Sequence, residues 1–282
     1  MIPVRVSHNQ SIGPGVVPAG VDPAYDAQYA NHKGPVAHVG ANGFGRPFSV
    51  APGPITHTQT PYVTGTTVLG MKYKDGVMIA CDTLGSYGST KRYKNLQRMR
   101  VVNAKTIIGF TGELSDFDYI MTLLDELNTN DYCEDDGKEL SPKEIYSYLC
   151  RVMYNRRNKF DPLWNSLVVA GLMKDGTQFL GTVGMIGQHY TDSHLAAGFG
   201  NHMARPLFRE KHTDDMSEPE ARALMEDALR ACVMRDKSMM NKFQIAKVEF
   251  GKAPTVSEPF AVATSWDYEK FKNPSEFAPG TW

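Results

Sequence analysis

The stretch Val63-Thr-Gly-Thr-Thr-Val-Leu-Gly-Met-Lys-Tyr-Lys-Asp-Gly-Val-Met-Ile-Ala-Cys-Asp82 decides how the chain reads. It predicts two short strands joined by a tight turn. Thr66 to Tyr73 is rich in β-formers, and Lys74-Asp75-Gly76 supplies the turn, because Asp-Gly tolerates φ > 0. Val77 to Ala80 is apolar without polar alternation, the pattern of a strand covered on both faces. Gly65-Thr66 stands at the head of the first strand, and Asp82 ends the second.

Outward from this hairpin, 282 residues hold one large domain or two small ones. Apolar content of 41% and charged content of 22% fit a soluble globular protein. A formal net charge of -1 gives no global pull toward nucleic acid or anionic membrane. No basic run interleaved with aromatics stands out. No apolar stretch approaches the roughly 18 residues of a membrane span, and Met1 to Ile12 has no apolar core of a secretory signal. Cys81, Cys133, Cys150 and Cys232 are widely spaced without Cys-x-x-Cys, which reads as reduced thiols in a cytosolic or nuclear protein. The histidines show no metal-ligand spacing and no phosphate loop is present, so no cofactor is expected.

Met1 to His57 holds eight of the 17 prolines, and no helical or strand period survives among its Gly and Pro. It is either an ordinary flexible tail or a removable propeptide. After the hairpin, Thr106 to Gly112 reads as another buried strand. A helix starts at Ser115, with Phe117, Ile120, Met121, Leu124 and Leu127 at helical spacing. Asn128 to Lys138 reads as a polar loop. Ser141-Pro-Lys-Glu144 and Ser217-Glu-Pro-Glu220 are capping boxes that open two further helices. Between them, Ser166 to Met173 and Thr177 to Val183 form a second hairpin around another Lys-Asp-Gly turn. Gly198-Phe-Gly200 leads to a helix over about His202 to Glu210, and Phe243 to Phe250 is the last strand. Beyond Gly251 the tail carries Trp266, Tyr268, Phe271, Phe277 and Trp282, aromatics that suit docking on the chain's own body or a neighbour. Hairpins separated by helix pairs argue for antiparallel sheets covered on their outer faces. An α+β, four-layer αββα sandwich satisfies that order, although another α+β fold does so too.

Five segments carry a resemblance: Thr58-Gln-Thr-Pro-Tyr-Val-Thr-Gly65, Leu84-Gly-Ser-Tyr-Gly-Ser89, Met153-Tyr-Asn-Arg-Arg157, Asp161-Pro-Leu-Trp-Asn165 and Tyr190 to Gly200. In this order and spacing the chain from Thr64 to about Phe250 resembles the β subunits of the proteasome, a branch of the N-terminal nucleophile hydrolases. Within that family it is most similar to the branch that fills the seventh place of the eukaryotic β ring. The resemblance implies the N-terminal nucleophile hydrolase fold for residues 58–250, a removable propeptide at 1–57 and a C-terminal extension at 251–282 that docks on neighbouring subunits. It implies as partners the other α and β subunits of a 20S core, two stacked seven-membered β rings between α rings. Assembly chaperones and, indirectly, a regulatory particle are also implied, in the cytoplasm and nucleus, with neither nucleic acid nor membrane.

Active members of the family cut a Gly-Thr bond, and the freed threonine supplies both a hydroxyl nucleophile and, through its α-amine of pKa about 7.7–8.0, a base. A lysine and an orienting aspartate tune that amine, backbone amides hold the oxyanion, and further hydroxyls and an aspartate complete the network. On this pattern the nucleophile position is Thr66 and the orienting aspartate is Asp82. The lysine position is Arg98, which cannot share a proton as lysine does. Phe199 and Met239 stand where the family places serines, and Asp236 keeps its position. The resemblance therefore implies a degenerate site in a non-catalytic subunit, trimmed at His57-Thr58 by an active neighbour, with Thr66 left acylated on its nitrogen. Two other readings stay open: an active threonine endopeptidase using Thr66 after Gly65-Thr66 cleavage, and a free-standing amidohydrolase of the same fold.

Overall fold

The apolar run after the first turn becomes β3 (Gly76–Asp82), buried at every residue. It pairs antiparallel with β2 (Val68–Tyr73) and with β12 (Phe243–Glu249). The turn glycine is needed for a reason other than its dihedral freedom. A Cβ on Gly76 would lie 2.2 Å from the Val248 carbonyl oxygen, so its smallness admits the neighbouring strand. In the second Lys-Asp-Gly turn, Gly176 does adopt the left-handed region, with φ 83°.

The computed structural model describes residues 60–134, 136–266 and 279, all within one compact unit. Its remaining strands are β1 (Thr64–Gly65), β4 (Gly85–Tyr87), β5 (Thr90–Tyr93), β6 (Met99–Asn103), β7 (Thr106–Glu113), β8 (Asn165–Leu172), β9 (Gln178–Val183), β10 (His189–Thr191), β11 (His194–Ala197) and β13 (Thr255–Val256). The helices are α1 (Leu114–Glu134), α2 (Pro142–Asn158), α3 (Gly200–Met203), α4 (Arg205–Lys211) and α5 (Glu218–Val233). Two antiparallel sheets result. One runs β10-β9-β8-β7-β1-β4-β5, with β6 also on β7; the other runs β11-β2-β3-β12-β13.

Each layer contact follows from the strand pattern. Between the sheets, Val68, Val77 and Ile79 meet Ile107, Val168 and Leu180. On the outer face of the larger sheet, Phe110 and Leu167 pack against Phe117, Ile120, Leu149 and Met153 of α1 and α2. On the outer face of the smaller sheet, Leu69, Met71 and Met78 pack against Phe208 of α4 and Met225 and Leu229 of α5. Each such fully buried side chain contributes about 1.5–3 kcal/mol. The architecture is the α+β, four-layer αββα sandwich. Among the described residues no helix is long and apolar enough to cross a membrane.

Three local readings need correction. The first hairpin's leading strand starts at Val68, and Thr64–Gly65 forms a separate strand in the other sheet. The polar stretch from Asn128 is not loop at its start, because α1 continues to Glu134. Its apolar stripe stops near Leu127, but the helix runs on: Thr129 Oγ1 donates to Asp125 O at 2.7 Å, and Asn128 Nδ2 reaches across to Val102 O on β6 at 2.9 Å. The helix expected over 202–210 begins at Gly200 and is broken at Ala204 into α3 and α4. The first part of the tail, as far as Ala263, bonds to the chain's own body. Asn241 exchanges side-chain bonds with Val262 at 2.8 and 2.9 Å, and Arg230 Nε donates to Ala263 O at 2.8 Å. Tyr268, Phe271, Phe277 and Trp282 lie outside the described residues, as do His57 and Thr58.

Candidate active site

Asp82 ends β3, and its carboxylate is wholly buried. Arg98, just before β6, is also wholly buried and is the largest fully buried side chain among the described residues. Its Nη1 donates to Asp82 Oδ1 in an ion pair, and its Nη2 donates to Phe110 O at 2.9 Å. Met240 N donates to the other carboxylate oxygen, Asp82 Oδ2, at 3.1 Å. Burial pushes the Asp82 carboxyl up, while the Arg98 guanidinium and the Met240 amide pull it down. The Arg98 fork therefore fastens the end of β3 to the middle of β7. It also fills the space beneath Gly65, where a Cβ would fall 2.2 Å from Arg98 Nε.

Thr66 lies between β1 and β2, half-buried. Its Oγ1 donates to Asp236 Oδ2 at 2.5 Å. Asp236 follows α5 and is held by its own amide on Cys232 O at 2.8 Å, and its Oδ1 accepts Ser238 N at 2.8 Å. Gly198, with φ 67°, brings backbone against Thr66; a Cβ there would lie 2.6 Å from the Thr66 carbonyl oxygen. Thr66, Asp82, Arg98 and Asp236 thus converge. Phe199 and Met239 present no hydroxyl to this convergence. The Phe199 ring sits edge-on to His202 with centroids 6.3 Å apart, and Met239 is buried in the core beneath α5.

The approach to Thr66 is itself built into the sheet. In β1, Thr64 pairs with Ser86 of β4 on one side and Glu113 of β7 on the other, and Gly65 pairs with Gly112. Leu114 N donates to Val63 O at 2.9 Å, and Val63 N donates to Glu113 Oε1 at 3.4 Å. The Tyr62 ring packs on Tyr87 with centroids 4.5 Å apart. The chain's own residues 63–65 therefore occupy the strand slot that leads to the Thr66 hydroxyl.

The family pattern described as "Proteasome subunit" matches residues 62–248. The chain belongs to the proteasome β-subunit family. The proteasome subunit beta type-4 of Arabidopsis thaliana is 50% identical over 225 residues, 80% of this chain and 91% of that protein. The beta type-4 subunit of Xenopus laevis is 41% identical, covering 76% of this chain and 89% of its own. The proteasome subunit beta type-7 of Saccharomyces cerevisiae is 36% identical over 255 residues, 87% and 92% of the two chains.

In this proteasome β chain, two features of the site went unread in the sequence. One is β1, since two residues are too short to show a period of two; the signal was the apolar Val63 beside the glycine. The other is Glu113, which is buried and caps α1 by accepting Asp116 N at 2.9 Å while holding Val63. A carboxylate just before a helical stripe is a recognisable start signal.

Proposed function

We propose that this chain is a non-catalytic β subunit of the 20S core. In that role it completes the β ring and supports protein degradation by active neighbours. The observation that carries this reading is the wholly buried Arg98 at the family's lysine position. Where a proton-sharing lysine is required, a buried guanidinium is locked to Asp82 and Phe110 O. The Thr66 hydroxyl is left to donate to Asp236, with Phe199 and Met239 supplying no further hydroxyls. The beta type-4 and type-7 relatives support its place among other α and β subunits. That assembly would bring assembly chaperones and, indirectly, a regulatory particle, in the cytoplasm and nucleus. Trimming at His57-Thr58 by a neighbour belongs to the same proposal.

The opposing reading, an active threonine endopeptidase, draws on the meeting of Thr66 with Asp236. N-terminal sequencing of the chain taken from the assembled core separates the two. Thr58 as first residue is expected, and a threonine-directed covalent inhibitor should leave this chain unlabelled. Thr66 as first residue, with labelling, overturns the proposal.

A further inference from the structure

Contrary to the expectation of no basic run interleaved with aromatics, Lys91-Arg92-Tyr93-Lys94 is a short one, and folding gathers more of both types around it. β5 is the last strand at one end of the larger sheet and is exposed along its whole length. It carries Lys91, Arg92 and Tyr93, and Lys94 follows. The segment 237–242 lies beside it. Lys91 Nζ donates to Met239 O at 2.6 Å and Lys242 Nζ to Asn95 Oδ1 at 3.0 Å. The carbonyls of Lys94 and Lys242 both accept from Thr83 Oγ1, at 3.1 and 3.4 Å, which sets their backbones side by side. The Arg92 guanidinium lies 5.6 Å from the ring centres of both Tyr87 and Tyr93. Tyr62, Tyr87 and Tyr93 are 57%, 39% and 41% exposed.

Among the described residues, Lys91, Arg92, Lys94, Lys237 and Lys242 form no ion pair. In a chain of net charge -1 this is a local excess of one sign. Lysines on an edge strand discourage pairing with a neutral or basic strand, and by the same field they select an acidic one. Repelling unwanted strands does not require a stacked arginine between two exposed tyrosines. Tyr and Arg are the types that anchor protein interfaces.

We propose that β5, with Tyr62, Tyr87 and residues 237–242, is a docking surface for an acidic segment of a neighbouring protein subunit. The partner's carboxylates meet the lysines and Arg92, and its apolar atoms cover the tyrosines. This rests on the reading of the chain as a subunit of the core. The test uses the full chain co-expressed with the remaining core subunits. The double variant Lys94→Glu/Lys237→Glu should enter the assembled core about tenfold less, because like charges then face each other. The neutral pair Lys94→Gln/Lys237→Gln and Arg92→Ala should fall between, and raising salt should narrow the differences. All should keep the wild-type thermal unfolding profile. Incorporation of the variants equal to wild type at both low and high salt overturns the proposal while leaving the subunit reading intact. Failure of the wild type to enter any assembly overturns both. Patch-dependent binding of a fluorescent single-stranded oligonucleotide assigns the surface to nucleic acid and overturns it as well.

Discussion

At the residue scale, Arg98 is both a chemical substitution and a structural brace. Its planar fork reaches Asp82 and the Phe110 carbonyl together, and a lysine in the same place offers one compact charge. The brace also requires a glycine above it. Gly65→Ala would set a Cβ 2.2 Å from Arg98 Nε, so guanidinium or strand must shift. The expected loss is about 1–3 kcal/mol, the usual cost of overpacking. Arg98→Lys should also destabilise alone, by loosening the bond to Phe110 O. Combined, the two changes should cost less than their sum, since the narrower lysine stem makes room for the methyl. Urea unfolding of the two single variants and the double gives the coupling, and strict additivity within about 0.5 kcal/mol would sink the brace. The arginine itself was legible in the sequence only as a departure from a family pattern. Its contact with Gly65 was not, because the two residues are joined by packing across two strands, a relation no local period records.

At the element scale, the helix starts were the most readable features and are physically testable. Ser141 and Glu144 form the box at the head of α2. Ser141 N donates to Glu144 Oε2 at 2.7 Å, and Glu144 N donates to Ser141 Oγ at 3.3 Å. Ser141→Ala should cost about 0.5–2 kcal/mol, read from thermal unfolding. The side-chain and backbone bonds from Ser141 hold the Glu144 carboxyl below its ordinary range. A depressed carboxylate stabilises the fold above its unfolded pKa of about 4.3 and loses that contribution as pH falls through the lower folded value. The cost of Ser141→Ala should therefore be full at pH 7 and shrink in acid; a cost that grows in acid contradicts the box. Helix ends without such signals were read less well. The stretch 128–134 has no apolar stripe, and its helical state depends on a neighbour, with Asn128 reaching Val102 on β6. The short strands β4, β5, β10 and β13 likewise owe their state to partners already in place rather than to their own pattern.

At the scale of the whole molecule, the four cysteines sample four depths of the sandwich. Cys81 lies between the sheets and Cys232 under α5, both wholly buried, and burial pushes each thiol up to about 12. Cys150 lies on the inner face of α2 and is pushed up to about 11 by the same cause. Cys133 stands exposed near the end of α1. Because the thiolate is the reactive form, labelling needs both access and ionisation, and the buried three gain neither until the structure opens. A disulfide-exchange reagent at pH 8 should label the exposed Cys133 first. Cys150 should follow at the slower rate with which α2 leaves its sheet. Cys81 and Cys232 should label together at the rate of global unfolding, since exposing either requires separating layers that share β2 and β3. Mass spectrometry of timed samples gives the order. Labelling of Cys81 in step with Cys133 would mean that the two sheets part independently of the helices, and the four layers would not then behave as one cooperative unit.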